Sequence, residues 1–126
     1  PVGIPSNIFP SITQVGAGKF DYLKIYGNDW PTIDGTCIRD FIHIMDLAEG
    51  HISALEFLGN NQAQIRSFNI GTGIGTSVLQ LIKIFQEVNN IKIPYKFMNR
   101  RKGDISSVIA DNSLAVKTLN WNPKRN

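Results

Sequence analysis

Residues 69–82, "NIGTGIGTSVLQLI", constrain the fold most, because an apolar run passes there through three alternate glycines into a helix-like pattern. This arrangement predicts a strand that turns sharply into a helix, as in α/β proteins. The dinucleotide fingerprint G-x-G-x-x-G needs a third glycine where Thr76 stands. It also needs an acidic residue at a strand end about 20 residues later, and none is found there. The glycines therefore predict a tight turn with positive φ and close packing rather than a nucleotide loop.

Helix periodicity follows four residues that can cap a first turn, namely Ser6, Asp46, Ser77 and Asp111. Glu49 and Gln80 stand three residues after the second and third caps, which is the spacing of a capping box. The last helix is expected to run through Leu119. The apolar side chains predicted to face the core are Ile8, Ile12 and Val15, then Leu47, Ile52, Leu55 and Leu58, then Val78, Ile82, Phe85 and Val88.

Short apolar runs alternate with these helices and predict strands at "YLKIYG", "IRDFIHI", "IRSFNI", "IPYKFM" and "SSVIAD", with a turn at "NDWPTIDG". The alternation predicts an α/β class with few short strands packed against helices. Because so little sheet is present, we expect some strand partners to lie outside these residues. Both ends break off without a clear terminus, which predicts a partial chain.

Composition narrows the class of protein further. The 126 residues suffice for one domain with a modest core, and no apolar run approaches the roughly 18 residues of a membrane span. The first residues lack the pattern of a signal peptide. The single cysteine, Cys37, excludes an internal disulfide and a cysteine metal cluster, and it is expected to be a buried thiol. These features predict a cytoplasmic protein.

The charge is unevenly distributed along the chain. Residues 1–90 contain five Lys/Arg and eight Asp/Glu, a net charge of −3, whereas residues 91–126 contain eight and two, a net charge of +6. The basic end predicts an anionic partner. No helix-turn-helix, zinc-finger or RNA-binding signature supports a nucleic acid as that partner. A small phosphorylated ligand would need only two or three of these cations.

Two charged groups are candidates for binding it. "IRDFIHIMD" places Arg39, Asp40 and His43 in an apolar stretch, where charged residues are rarely buried unless they are paired. One interpretation is an internal Arg39–Asp40 or Asp40–His43 pair, and the other is an Arg39 guanidinium that faces a phosphate. "NRRKGD" is either a solvated turn or a second contact to a phosphate group, with one of its arginines as the cation and Asp104 as an acceptor for sugar hydroxyls.

These stretches also carry a resemblance. "GTCIRDFIHIMDLAEGHISALEFL", "SFNIGTGIGTSVLQLI" and "RRKGDISSVIAD" resemble the C-terminal, substrate-binding part of the UDP-glucose 4-epimerases, a family of extended short-chain dehydrogenases/reductases. "GIPSNIFPSITQV" and "LKIYGNDWPTIDGT" resemble the same family in the same order, so the similarity covers nearly the whole chain. The order Arg-Asp-(Tyr/Phe)-Ile-His-(Val/Ile), followed by Asp-Leu-Ala, is specific to this enzyme group.

The resemblance assigns roles to individual positions. Arg39 and Arg101 match two arginines that clamp the diphosphate of UDP, and Asp104 matches the carboxylate that holds the ribose hydroxyls. The resemblance also implies that Asn7 and Ile8 open a helix whose start faces the diphosphate. It further implies a strand whose backbone recognises uracil, formed by Lys24, Ile25 and Tyr26.

Two positions depart from the pattern of the family. Phe41 stands where many of these epimerases have Tyr, so it keeps the ring and lacks the hydroxyl. Val108 stands where a larger Tyr, or a Cys, usually borders the sugar pocket. Because a bulky ring there excludes an N-acetyl group at carbon 2, Val108 predicts that UDP-N-acetylhexosamines are accepted beside UDP-glucose and UDP-galactose.

The resemblance further implies an NAD-dependent enzyme of galactose metabolism that interconverts UDP-glucose and UDP-galactose through a 4-keto intermediate, with UDP held fixed. That chemistry needs a glycine-rich NAD loop and a Tyr-x-x-x-Lys pair, and this sequence contains neither. We therefore expect a UDP-sugar-binding region, residues 1–126, that binds no NAD, metal or membrane and is inactive alone. Homodimer formation is expected to lie with the missing NAD-binding domain.

Other functions remain open from the sequence. The chain could belong to a different nucleotide-sugar epimerase or to a dehydratase. It could also be a binding module for nucleotide sugars without catalytic activity, or a basic nucleic-acid-binding domain whose affinity falls steeply with salt.

Overall fold

The computed structural model describes residues 7–125, which divide into two compact units. The first unit comprises residues 7–38 and 77–106, and the second comprises residues 39–76 and 107–125. The α/β class with few short strands is confirmed, and no helix within residues 7–125 is long and apolar enough to cross a membrane. In chain order the elements are α1 (Ile8–Gly16), β1 (Leu23–Tyr26), β2 (Ile38–Arg39), α2 (Ile44–Gly59), β3 (Thr76–Ser77), α3 (Val78–Asn89), β4 (Tyr95–Met98), β5 (Ser107–Val108) and α4 (Ser113–Leu119).

The first unit is built on a parallel pair of strands, β1 and β4, in which Leu23 lies opposite Tyr95 and Tyr26 opposite Met98. Parallel strands need a crossover connection, and α3 lies in the intervening chain. One face of β1 packs against the apolar sides of α1 and α3. The core side chains are Ile12, Val15, Leu23, Ile25, Ile82 and Ile93, as the alternation in "YLKIYG" and the helix periodicity predict.

The first helix begins with Asn7 as its cap, because the Asn7 side chain accepts the N–H of Phe9 at 3.4 Å. The cap predicted from the sequence, Ser6, lies outside the described residues. The helix ends at Gly16, as predicted, and Gly18 follows with a φ of 70° that favours glycine.

A complete capping box opens α3. The Ser77 hydroxyl oxygen accepts the N–H of Gln80 at 3.1 Å, and the Gln80 side chain accepts the N–H of Ser77 at 2.9 Å, as predicted. The Ser77 hydroxyl also donates to Asp34. The predicted burial of Val88 is wrong: it is exposed in the last turn of α3, beyond the reach of the core, and Leu81 is buried instead.

Helix α2 begins one turn earlier than the sequence predicts. His43 is its cap, because the ring Nδ1 of His43 accepts the N–H of Met45 at 3.1 Å. Asp46 therefore lies inside the first turn and does not cap the helix. Its fully buried carboxylate accepts the N–H groups of Lys124 and Arg125 at 2.9 and 2.8 Å and pairs with the Arg125 guanidinium at 2.5 Å.

The buried face of α2 also differs from the prediction. Ile52, Leu55 and Leu58 are 56, 69 and 47 % exposed. The helix packs instead through Gly50, Ala54 and Phe57, and at Gly50 an added Cβ would lie 3.3 Å from the ring of Trp121. The cluster on this side consists of Ala115, Leu119 and Trp121, with Ile42, Ala54, Phe57, Phe68 and Ile70 packed against it.

The strand predicted for residues 65–70 is wrong, and this segment has no assigned secondary structure. A strand exists only where a neighbour pairs with it, and no other strand within residues 7–125 pairs with this segment. Phe68 and Ile70 nevertheless pack against the second core. The last helix runs to Leu119 as predicted. Its first residue is Ser113, whose N–H is accepted by the Asp111 carboxylate at 3.1 Å.

Stability is expected to depend on pH through Asp46. Burial raises its pKa, but the N–H groups of Arg125 and Lys124 and the Arg125 guanidinium outweigh burial and lower the pKa below its ordinary value. Asp46→Asn should therefore destabilise the chain above about pH 5, and the difference from wild type should shrink as the pH falls below about 3.9, the ordinary aspartate pKa. Urea unfolding at pH 7, 5 and 3 measures this difference. Asp21→Asn, an exposed change of the same charge, is the control, and a difference that does not change with pH would contradict the prediction.

Candidate functional site

The second unit contains an open cavity of about 480 Å³. Two residues that the sequence analysis assigns to substrate, Arg39 and Val108, both line it. The other walls come from Asp40, from residues 68–71 and from residues 109–111. With an arginine and a half-exposed valine among its lining residues, this cavity combines a residue type that suits an anion with one that suits an apolar or sugar group.

The glycine turn, residues 71–75, forms part of this wall through Gly71. The anion that its N–H groups bind is a side chain of the protein itself. The carboxylate of Asp40 accepts the N–H groups of Thr72 and Gly73 at 2.9 Å each and the Thr72 hydroxyl at 2.6 Å. It also accepts the N–H of Ala110 at 3.2 Å. Gly73 has a φ of 76°, and a Cβ on Gly71 would overlap Asp40 and Ala110. The turn is therefore a packing turn, as predicted, with its amide donors bound to a side chain of the protein.

Asp40 is ionised in this setting. Burial raises its pKa, but the hydroxyl and N–H of Thr72, followed by the N–H groups of Gly73 and Ala110, outweigh burial and lower the pKa below its ordinary value. The structure does not have the Asp40–His43 pair that one interpretation of the sequence allowed; the Nδ1 of His43 instead accepts the N–H of Met45 and caps α2. The sequence contains a signal for the true partner: a turn rich in N–H donors without a nucleotide fingerprint needs an acceptor from elsewhere in the chain.

The first unit brings together three other predicted residues. The guanidinium carbon of Arg101 lies 4.2 Å from the centroid of the Tyr26 ring. The Arg101 Nε also lies 3.4 Å from a carboxylate oxygen of Asp104. A turn fixes this spacing, because the N–H of Asp104 donates to the Arg101 carbonyl at 3.2 Å and Gly103 has a φ of 89°. Arg101 remains half-exposed, so its stacked guanidinium is open to a ligand.

Arg100 and Arg101 have different roles although they are neighbours. The Nε of Arg100 pairs with the Asp29 carboxylate at 2.8 Å, and its guanidinium lies 3.9 Å from the Trp30 ring centroid. Gly27 has a φ of 84° and leaves room for Trp30 where a Cβ would collide with the indole. Arg100 therefore orders the turn that follows β1, a role that the sequence analysis did not assign.

The backbone of β1 has one edge that does not face β4. Leu23 donates its N–H to Pro94, and Gly27 donates to Met98. In a parallel ladder alternate residues bond to opposite sides, so the peptide groups of Lys24 and Tyr26 face the other edge. The Ile25 side chain is buried in the core. The Tyr26 carbonyl already accepts the indole N–H of Trp30 at 3.4 Å.

The remaining predicted residues take ordinary positions. Asn7 caps α1, and Ile8 begins that helix and packs against the first core. Phe41 is half-buried in the second unit. The structure therefore brings together Tyr26, Arg101 and Asp104 in the first unit, and Arg39 and Val108 in the second.

Comparisons with known proteins agree with the resemblance found in the sequence. The profile of the family described as GDP-mannose 4,6 dehydratase matches residues 2–126. A curated relative, the UDP-glucose 4-epimerase of Bacillus subtilis (strain 168), is 47 % identical over 125 residues, which are 99 % of this chain and 37 % of the relative. The chain thus spans about 37 % of the length of the curated relative.

Solved structures give the same result. The UDP-glucose-4-epimerase of Stenotrophomonas maltophila with bound NAD and formylated UDP-arabinopyranose matches with a TM-score of 0.95 and 43 % identity. The UDP-glucose 4-epimerase of Bifidobacterium longum in complex with NAD+ and UDP matches with a TM-score of 0.94 and 39 % identity. Each match covers 100 % of this chain and 37 % of the other chain.

The two neighbouring arginines should respond differently to truncation. Arg100→Ala should lower the stability of the chain, because it removes an ion pair and a cation–π contact of a kind worth about 0.5–1 kcal/mol at exposed sites. It should also shift the tryptophan emission, since Trp30 loses its covering guanidinium. Arg101→Ala should leave the tryptophan emission close to that of wild type, because Arg101 stacks on Tyr26 and not on Trp30. Urea unfolding followed by fluorescence measures the two variants, and an equal shift of the emission in both would contradict the assignment.

Proposed function

The chain belongs to the family described as GDP-mannose 4,6 dehydratase, and from that premise we propose that residues 1–126 bind the UDP-sugar of a UDP-glucose 4-epimerase. The whole protein would interconvert UDP-glucose and UDP-galactose through a 4-keto intermediate with NAD, as an isomerase of galactose metabolism in the cytoplasm. Its homodimer interface would lie outside these residues. The relatives support this proposal through their identity to the chain over its whole length.

One observation carries the proposal, namely the group formed by Tyr26, Arg101 and Asp104 at the end of β1. A nucleoside diphosphate offers a base edge, ribose hydroxyls and phosphate oxygens. The open backbone edge of β1 suits the base, a carboxylate suits the hydroxyls, and a guanidinium suits the phosphates. All three kinds of group occur here within one unit.

Arg39 is proposed as a second ligand of the diphosphate. It lines the cavity of the second unit beside Val108, which suits a phosphate next to a sugar. The N-terminus of α1 at Asn7 and Ile8 is proposed to face the diphosphate as well, because helix N-termini favour anions. The assignment of Arg39 and Arg101 to one diphosphate stays a prediction from the resemblance.

The glycine turn does not fit NAD. The N–H groups of Thr72 and Gly73 in the glycine turn are bound to Asp40, so they offer no cradle for a pyrophosphate. The sequence also contains no Tyr-x-x-x-Lys pair. We therefore propose that the cofactor and the groups that carry the redox chemistry belong to residues outside 1–126.

A second candidate within the same class is a nucleotide-sugar dehydratase or another epimerase, which the description of the matching family favours. A binding module without catalytic activity is the alternative from another class, and the absence of a Tyr-x-x-x-Lys pair from these 126 residues favours it. Turnover of UDP-glucose by a protein that contains this chain would favour an enzyme, either the proposed epimerase or a related one, over the binding module.

The proposal is tested by calorimetric titration of the 126-residue chain with UDP. Arg101→Ala should weaken binding about tenfold or more, because a lost charge-assisted hydrogen bond costs about 1.5–3 kcal/mol. Lys102→Ala is the matched control, since it removes the same charge from the neighbouring exposed position. It should change the dissociation constant less than about twofold, as expected for a screened surface charge.

Arg39→Ala is titrated in parallel and should also weaken UDP binding. Equal affinity of wild type and Arg101→Ala would contradict the assignment of Arg101 to the phosphates. A well-folded wild-type chain that does not bind UDP would contradict the proposed function of these residues.

Val108 is proposed to leave room for an N-acetyl group. It is 45 % exposed in the cavity that Arg39 also lines. Val108→Tyr should weaken binding of UDP-N-acetylglucosamine relative to UDP-glucose by about tenfold, since an overpacked contact typically costs about 1–3 kcal/mol. Val108→Ala is the control and should keep the wild-type ratio. A wild-type chain that binds UDP-glucose but not the N-acetyl sugar would contradict the proposal.

A further inference from the structure

Asp40 connects the segments that form the cavity wall. Its carboxylate binds Thr72 and Gly73 of the glycine turn and the N–H of Ala110. Its own backbone N–H donates to the Val108 carbonyl at 3.0 Å. Asp40 thus links the end of β2 to two segments that follow it by 32 to 70 positions.

Arg39 lies next to these connections. Arg39 directly precedes Asp40, and both line the cavity together with Gly71 and Ala110. The amide of Asn112 adds a further tie by donating to the Gly71 carbonyl at 2.8 Å. A guanidinium selects a phosphate by geometry, so the precision of the backbone that carries it affects affinity.

We propose that Asp40 is the positioning residue of this cavity, whose carboxylate, bound in the glycine turn, holds Arg39 in the position that binds a phosphate group. The inference rests on the proposed function, because it assumes that the phosphate belongs to a nucleotide sugar. Asp40 itself touches no ligand in this proposal and acts through Arg39.

The choice of a carboxylate follows from the donors around it. Both oxygens of Asp40 face N–H or O–H donors, and a carboxylate accepts at both. In Asp40→Asn one of these oxygens becomes an NH₂ group, which cannot accept from Gly73 and Ala110. The four donors also offset the negative charge, which would otherwise repel a phosphate in the same cavity.

The test is a titration of the 126-residue chain with UDP and with uridine, which lacks the diphosphate. Asp40→Asn should weaken UDP binding about tenfold, equivalent to about 1.4 kcal/mol, and leave uridine binding within about twofold of wild type. Thr72→Val keeps the N–H donors of Thr72 and Gly73 but removes the hydroxyl, which donates to Asp40 and accepts the N–H of Ile74 at 3.0 Å. It should give a smaller loss in the same direction. Glu56→Gln, a change of the same charge on α2 outside the cavity, should bind both ligands as wild type does.

A double-mutant cycle with Arg39→Ala tests the route of the effect. If Asp40 acts through Arg39, Asp40→Asn should add little to the loss caused by Arg39→Ala. An additive loss would overturn the proposal. Equal loss of UDP and uridine affinity would also overturn it, because uridine lacks the diphosphate that Arg39 is proposed to bind.

The remaining outcomes are also decisive. If Asp40→Asn does not fold, as judged by thermal unfolding, Thr72→Val replaces it in both titrations and in the cycle. Wild-type UDP affinity in the folded variant overturns this inference and leaves the proposed function intact. A folded wild-type chain that does not bind UDP overturns both.

Discussion

Aspartates that accept hydrogen bonds from distant segments hold this fold together, and one of them, Asp46, is fully buried. Asp34, Asp40 and Asp46 stand at intervals of six residues, and each carboxylate binds groups far along the chain. In the first unit Asp34 accepts from Ser77, and in the second unit Asp40 accepts from Thr72 and Ala110. A small sheet of short strands provides few ladder hydrogen bonds, so these side chains supply long-range connections that a larger sheet would otherwise provide.

The same arrangement explains why the three carboxylates stay ionised although burial opposes it. For each of them the hydrogen bonds outweigh the cost of burial and lower the pKa. A buried charge with several donors is tolerated, whereas one that loses a donor is not. The positions are therefore sensitive to substitution even where they contact no ligand. The predictions for Asp46 and Asp40 test two consequences of this sensitivity, one for stability and one for binding.

Much of the fold follows from the sequence alone, and the failures have physical causes. The strand "YLKIYG", the Ser77–Gln80 capping box and the end of α1 at glycine depend on local pattern, and each is confirmed. The predicted start of α2 is wrong because His43, a less common cap, caps the helix where Asp46 was expected to do so. The prediction of which side of α2 is buried is wrong, because that helix packs at Gly50 rather than through Ile52, Leu55 and Leu58. Residues 65–70 are not a strand, because pairing is a property of neighbours that a local pattern does not contain.

For the candidate site the sequence identifies individual residues better than it identifies which side chains contact one another. It selects Arg101 and Asp104, and the structure places their side chains together with Tyr26. It does not reveal the separate role of Arg100, which depends on Asp29 and Trp30, 71 and 70 residues earlier. The partner of Asp40 is likewise 32 residues away, so no spacing rule reveals it.

The internal anion of the glycine turn has a consequence for the evolution of such loops. The sequence lies one substitution, Thr76→Gly, from the spacing of a dinucleotide fingerprint. That substitution would complete the pattern of letters, yet the N–H groups of Thr72 and Gly73 would still be bound to Asp40. A loop of this kind gains a nucleotide site only if the acceptor is lost as well, and losing it disturbs the wall that the same residue holds. More than one substitution is therefore needed before such a turn could hold a cofactor.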